Sequence, residues 1–436
     1  MTSVFWFRRD LRIKDNVGLY HALNQDLPVQ CVFIFDKNIL DELPKDDARV
    51  SFIHEQISII HSYLKEKGAS LQVFHDKPTK VFKRFAKEGS IQNVYTNHDF
   101  EPYAKTRDSE ISKNLAKSNI GFHSYKDHVI FEKDEVVKAD GLPYTVFTPY
   151  KRKWLALLNS EGKGVKSKYL APFRSEKLDN YKKSAYKIPT LKSLGFVSTE
   201  ITFPPKVVSQ KLIKTYDENR NYPAINGTSK LGVHFRFGTI SIREKARKAI
   251  KLNDTYLSEL VWRDFYAQIL YHFPHVVGSA FRAKYDNIPW RENKKEFDAW
   301  CDGITGYPLV DAGMRELNTT GYMHNRVRMV VASFLTKHLL MDWRKGEAYF
   351  ALKLLDYDLA SNNGGWQWAA GSGTDAAPYF RIFNPTSQLK KFDKDFEYVK
   401  HWVPEFDTED YPEPIVDHKF ARERCLATYK EALNNN

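Results

Sequence analysis

Two hydrophobic periodicities divide this chain. In roughly the first 130 residues, short apolar runs at 4–7, 29–35, 71–74, 93–95 and 121–125 alternate with longer stretches of helical spacing. One such stretch is 51–67, where Phe52, Ile53, Ile57, Ile60 and Leu64 recur at helical intervals, and another is 78–87. Short apolar strands alternating with helices call for a parallel sheet covered on both faces, a doubly wound α/β domain. No G-x-G-x-x-G follows the first run, so a dinucleotide fingerprint is missing. Between 131 and 205 the pattern weakens and Lys and Pro are frequent, which reads as a connector. From 206 to 430 the strand signal is gone, and helices are expected at 230–237, 242–251, 255–271, 309–319, 324–338 and 343–355, with Gly and Pro between them. The expected architecture is an α/β domain over 1–130, a connector over 131–205 and a larger all-helical domain over 206–430.

Composition narrows the function. With 436 residues, 42% hydrophobic and 28% charged, the chain can bury large cores, which excludes wholesale disorder, a fibrous repeat or a disulfide scaffold. No apolar run approaches the roughly 18 residues needed to span a bilayer. The first apolar stretch stops at Arg8 and Arg9, too soon for a signal peptide. Cys31, Cys301 and Cys425 are far apart, with no C-x-x-C and no H-E-x-x-H, so no metal site is expected and a reducing cytoplasm fits. A net charge of +12 and 14% aromatic residues point to a polyanionic partner.

Five features carry chemistry. Asn226, Gly227, Thr228, Ser229 and Lys230 precede a short helical pattern ending near Arg236, a turn with hydroxyls to cap a helix or seat a phosphate. Glu259, Trp262, Arg263 and Tyr266 share one helix face, where a carboxylate beside an indole suits a nucleobase; the plainer reading is a Glu259–Arg263 ion pair. The stretch 320–329 places Asn325 and Met329 one turn apart on a helix whose other face, Val327, Val330, Val331 and Phe334, is core. The stretch 356–368 packs Asp356, Asp358, Asn362, Asn363, Gly364 and Gly365 between apolar neighbours; it reads as a poor helix and a poor strand whose polar groups call for a ligand. Trp290, Trp343 and Trp366, by spacing alone, are core indoles.

These residues resemble the photolyase/cryptochrome family, most closely its class I cyclobutane pyrimidine dimer photolyases. The likeness runs almost the full length. It opens with Trp6-Phe7-Arg8-Arg9-Asp10-Leu11-Arg12, then Asp15 and Asn16, and is strongest in TGYPLVDAGMRELNTTGYMHNRVRM at 305–329 and NNGGWQWAAGSGTDAAPYFRIFNP at 362–385.

The resemblance implies a light-dependent DNA repair enzyme, a carbon–carbon lyase that splits a flipped-out dimer by electron transfer from excited FADH⁻. It implies FAD held by Tyr216, Thr228, Ser229, Lys230, Leu231, Gly232, Arg328, Asp356, Asp358 and Asn362, with Asn362 opposite flavin N5. It assigns Glu259 to the base edges as proton donor or charge stabiliser. Trp262 and Trp368 stack on the bases, Asn325 and Met329 contact them, and Arg220 and Arg326 hold strand phosphates. Trp366, Trp343 and Trp290 are implied as an electron path to the surface. The implied partner is damaged DNA, single- or double-stranded, bound by a monomer in a bacterial cytoplasm or nucleoid, with no metal and no membrane.

Asn325 and Met329 stand where (6-4) enzymes carry a His pair, which argues against that activity. No long C-terminal tail is expected, the chain ending at Asn436 soon after the helical domain, which favours repair over the runner-up, a cryptochrome-like blue-light receptor with the same FAD. A second, antenna chromophore stays open among folate, deazaflavin, flavin and none: the folate-type His is missing from 43–50, while Glu101 stands at the family's acidic antenna contact.

Overall fold

The computed structural model describes residues 1–434. They form two compact units, each assembled from separated stretches. The first comprises Met1–Glu135, Trp154–Val207 and Leu231–Lys251; the second comprises Val136–Lys153, Val208–Lys230 and the chain from Leu252 onward.

The first unit is built on five strands: β1 (Thr2–Phe7), β2 (Val29–Asp36), β3 (Gln72–Asp76), β4 (Ile91–Asn97) and β5 (Gly121–Tyr125). Their order is β3-β2-β1-β4-β5, and every neighbouring pair is parallel. Parallel strands need crossover connections, supplied here by helices Val17–Leu23, Ala48–Glu66, Pro78–Glu88 and Pro102–Ala116. Local chemistry starts these helices where they begin: Asn16 accepts from the Leu19 amide, and Pro78 and Pro102 stand at first helical positions. β1 and β2 are buried along their whole length, which is why they read as unbroken apolar runs. Val4, Trp6, Val32 and Ile34 face Val81, Phe82, Ile111 and Leu115 in one core layer.

β1 has β2 on one side and β4 on the other, so the winding reverses there, at the C-terminal ends of β1 and β4, where folds of this kind open a crevice. Charged residues fill the segments leaving these strands. Arg9 Nη1 donates to Glu101 at 2.7 Å and to Asp99 at 3.2 Å, and Arg236 Nη1 donates to the same Glu101 oxygen at 2.6 Å. A second, fully buried network lies nearby. Arg12 Nη2 donates to both Asp127 oxygens at 2.7 Å, while Arg243 donates to Asp127 at 2.9 Å and to Asp15 at 3.0 Å. Burial alone would raise the Asp127 carboxyl, but the two guanidiniums outweigh it and hold it well below its ordinary value.

The second unit has no β-strand among the described residues and is carried by helices Asp254–His272, Lys294–Asp302, Pro308–Thr320, Asn325–Ser333, Trp343–Lys353, Leu359–Ala370 and His418–Asn434. Its core gathers Trp300, Met314, Val327, Val331, Phe334, Trp343, Phe350 and Trp366. An α/β unit and a helical one are thus both present, as expected.

Four local expectations need correction. The 356–368 stretch is largely helical: Leu359–Ala370 is a regular helix started by Asp358, whose Oδ1 accepts from the Ser361 amide. Packing overrides the low propensity of its glycines. A Cβ at Gly364 would lie 2.3 Å from the Tyr266 ring, so only glycine lets helices Asp254–His272 and Leu359–Ala370 approach this closely. The helix expected at 230–237 is only Gly232–Arg236; its N-cap position is Leu231, which has no group to cap with, and the Thr228 and Ser229 hydroxyls bond elsewhere. The helix expected at 324–338 is α-helical over Asn325–Ser333 and continues as a π-helical turn over Phe334–His338. The stretch read as a connector contains a twelve-residue helix, Phe147–Leu158.

Candidate active site

The Asp254–His272 helix carries the first cluster, all within the second unit. Asn253 caps it by accepting from the Tyr256 amide. Glu259, Trp262 and Tyr266 then fall on one face, as their spacing requires. Glu259 forms an ion pair with Arg220, 39 residues earlier. Burial raises the Glu259 carboxyl above its ordinary value, against the pull of Arg220 and Lys151. Lys151 is placed by the Phe147–Leu158 helix, and its Nζ donates to Ser258 Oγ at 2.5 Å. Phenols complete the surround: Tyr216 meets Tyr256 edge-on at 5.1 Å, and burial keeps Tyr216, Tyr256 and Tyr266 protonated.

Trp262 is already stacked. Phe147 lies parallel to it at 3.6 Å with a 5° interplanar angle, and Tyr266 lies 5.5 Å away at 29°. Trp368 sits apart from this stack, half-buried, with its ring 6.4 Å from Phe383.

Cations flank the cluster. Arg220 lies 5.3 Å from the Tyr216 ring, and its neighbour Asn221 accepts from Arg326 Nη2 at 2.8 Å. Arg326 also covers the Phe392 ring at 4.2 Å, and its buried Nε has no hydrogen-bond partner among the described residues. His324 caps the Asn325–Ser333 helix by accepting from the Arg326 amide at 3.2 Å. Burial, then Arg328 and Arg326, pull its imidazole down to about 4, so it stays neutral at physiological pH. Asn325 is exposed and Met329 half-buried on this helix.

A second polar face runs along the Leu359–Ala370 helix. Asp358, Asn362 and Gly365 recur at i, i+4 and i+7 on one side. A Cβ at Gly365 would meet nothing within 4 Å, so that face opens onto space. Asn362 Nδ2 donates to Glu347 Oε1 at 2.9 Å, and burial raises the Glu347 carboxyl. Arg328 Nη2 donates to both oxygens of Asp356, at 3.1 and 3.0 Å, and its Nε to the Met323 carbonyl at 2.7 Å. Thr228 Oγ1 and Tyr322 Oη share a hydrogen bond at 3.0 Å, Tyr256 Oη donates to Ser229 Oγ at 3.2 Å, and Lys230 holds a left-handed φ of 50° with its Nζ 4.9 Å from the Tyr322 ring. Leu231 and Gly232 belong to the first unit. An acidic, amide and hydroxyl donor set around a helix face left bare by glycine suits a polar, extended cofactor such as FAD. The opposite side of the same helix is tied down by amides: Asn363 Nδ2 donates to the Val276 carbonyl at 2.8 Å, and Gln367 Nε2 donates to Asn363 Oδ1 at 3.2 Å.

Trp343 and Trp366 lie in the core of the second unit and Trp290 packs against it. Trp366 meets Phe350 at 5.0 Å and Trp300 at 6.1 Å, and Trp290 meets Tyr429 at 6.0 Å. The sequence reading missed Phe147, Lys151, Glu347 and Trp300. The run Lys151-Arg152-Lys153 was the one local signal available for Lys151; the others are set only by the fold.

Comparison with known proteins bears on this arrangement. The family described as DNA photolyase matches residues 3–169, and the FAD binding domain of DNA photolyase matches residues 256–409. The deoxyribodipyrimidine photo-lyase of Halobacterium salinarum is 36% identical over 99% of both chains. The crystal structure of a bacterial class III photolyase from Agrobacterium tumefaciens superposes with a TM-score of 0.86 at 33% identity, covering 99% of this chain and 97% of that one. That of an archaeal photolyase from Sulfolobus tokodaii with two FAD molecules gives 0.81 at 34% identity, covering 99% of this chain and all of the other.

Proposed function

The chain belongs to the DNA photolyase family, and we propose that it splits cyclobutane pyrimidine dimers in DNA under light. It is an enzyme of the photo-lyase class and carries an FAD-binding domain. What supports the finer reading is one juxtaposition: a half-buried carboxylate, Glu259, one helical turn from a stacked indole, Trp262, with Arg220 and Lys151 beside them.

Enzymes that act on a base take it out of the stack and read its edge while stacking its face. Trp262 offers the face. Its partner Phe147 fixes the indole plane in advance, so little orientational freedom is lost on binding. Glu259 offers the edge contact, and Trp368, Asn325 and Met329 supply further contacts in this reading. Arg220 and Arg326 take phosphates, which gives affinity without sequence preference.

When bound, FAD supplies the photoexcited electron donor. Arg328, Asp356, Asp358, Asn362, Tyr216, Thr228, Ser229 and Lys230 hold it in this reading. Asn362 gives its amide N–H to Glu347, which leaves its carbonyl oxygen to accept from a ligand N–H. Trp366, Trp343 and Trp290 are proposed to carry electrons inward from the surface.

The experiment is dimer repair with and without blue light, scored by recovery of intact thymines. Light-dependent recovery is expected. A holoprotein that leaves dimers intact under reducing, illuminated conditions overturns the reading. Flavin released on denaturation checks the cofactor, and any second chromophore is identified in the same extract.

A further inference from the structure

We propose that Arg220 is a phosphate-operated lock on Glu259. Without DNA it holds the carboxylate ionised; a strand phosphate that captures the guanidinium releases Glu259 to take up a proton and face the lesion as a neutral acid. This rests on the dimer-binding function proposed above and adds how its key carboxyl changes state.

The geometry sets up a competition. Arg220 stands at the end of the short Tyr216–Asn219 helix and reaches Glu259 by a single ion pair. Both side chains keep solvent access, with 24% and 30% of their surfaces exposed, so an incoming anion can reach the pair. Arg326 is tied to the next residue, Asn221. Two guanidiniums are therefore held close together, and Arg220 disfavours the charge on Arg326, while Glu259 pairs with Arg220. The buried Nε of Arg326 lacks a partner among the described residues. Excess cation and an orphaned donor together call for a second anion, and a DNA phosphate is the anion this function brings.

The consequences for Glu259 follow from what faces it. From the Phe147–Leu158 helix comes Lys151, already bonded to Ser258. From the Tyr216–Asn219 helix comes Tyr216, and from its own helix Tyr256 and Tyr266, all phenols kept neutral by burial. Arg220 is the largest charge opposing the desolvation of Glu259. Once Arg220 turns to a phosphate, its pull is lost, and the desolvation that already outweighs it shifts Glu259 further toward the neutral form. The step balances: the ion pair breaks, an arginine–phosphate pair forms, and one solvent proton bonds to a Glu259 oxygen.

Chemistry favours this order. Negative charge develops on a pyrimidine carbonyl when an electron arrives, and a carboxylate beside it would repel that charge. A carboxylic acid donates a hydrogen bond to it and stabilises it. The lock lets one residue stay ionised and soluble when the site is empty and become a donor only when a lesion strand is in place.

The test is calorimetric. The holoprotein is titrated with a duplex containing one thymine dimer, near neutral pH, in two buffers of different ionisation enthalpy. Wild type is expected to take up about one proton per lesion bound. Glu259→Gln, close in shape, should bind the lesion and lose that uptake. Arg220→Gln should lose it too, because its Glu259 is already protonated, and its free form should show the carboxylic C=O infrared band that wild type shows only with lesion DNA. A merely structural Arg220 would leave that band unchanged. Lesion binding with equal uptake in wild type and Glu259→Gln, or with none in wild type, overturns the lock alone. Failure to bind dimer-containing DNA at all overturns the dimer-binding function and the lock with it.

Discussion

The two units use buried charge in opposite ways. In the first, Arg12, Arg243, Asp15 and Asp127 form a closed set: each cation meets a carboxylate, and Asp127 accepts from both arginines. In the second, Arg220, Arg326, Lys151 and Glu259 form an open set, half-exposed, with one carboxylate among three cations and an unpartnered guanidinium nitrogen. A closed set has no capacity left for a ligand and its worth is structural. An open set holds its charges in readiness for something that arrives later.

The sharpest break is Asp127→Ala, which leaves two buried guanidiniums short of a carboxylate. The loss should be about 3–5 kcal/mol, read as a lower urea midpoint. The pH dependence has a fixed sign: with its folded value held below the ordinary 3.8, Asp127 contributes in full above that value, and the contribution is lost as pH falls through the folded one. The acid limb of the stability curve should therefore be shallower in the mutant. Next comes Gly364→Ala, which drives a methyl into the Tyr266 ring; overpacking of this kind costs about 1–3 kcal/mol and should also displace the neighbouring Trp262 stack, seen as a change in tryptophan fluorescence. Asp358→Ala removes a helix cap for about 1 kcal/mol, measurable in the thermal midpoint. Smallest in stability is Glu259→Gln, which breaks a half-exposed pair worth no more than about 1 kcal/mol yet should lower repair by about tenfold if one charge-assisted hydrogen bond is lost. A Glu259→Gln protein as destabilised as Asp127→Ala would erase the distinction between the units.

Much of the first unit was legible because strands buried on both faces, β1 and β2, cannot hide, and they extend their runs by two residues and one; β5, only partly buried, still has the bounds its run suggested, and β4 extends its run by two residues at each end. The helix Phe147–Leu158 was hidden by Pro149 and by the charged run after it. The Leu359–Ala370 helix was hidden because its two glycines argue locally against a helix, and only contact with Tyr266 explains one of them. Glu259 and Trp262 were legible as a pair through their helical spacing. The Arg220 partnership was not, since an ion pair across 39 residues leaves no local trace. Glu347 meets Asn362 across 15 residues for the same reason.

Two Asn–Gly pairs occur in the chain, at Asn226-Gly227 and at Asn363-Gly364. This dipeptide is the one most prone to deamidation, in which the following backbone nitrogen attacks the side-chain carbonyl carbon and ammonia leaves. At Asn363 both ends of the amide are engaged, by Val276 and by Gln367, and the helix directs the Gly364 N–H away along its axis. At Asn226 the side chain is exposed in a loop. Ageing in storage should therefore mark the loop asparagine while the protein stays folded, and reach the helical one only in molecules that have opened, so that isoaspartate at 363 records past unfolding.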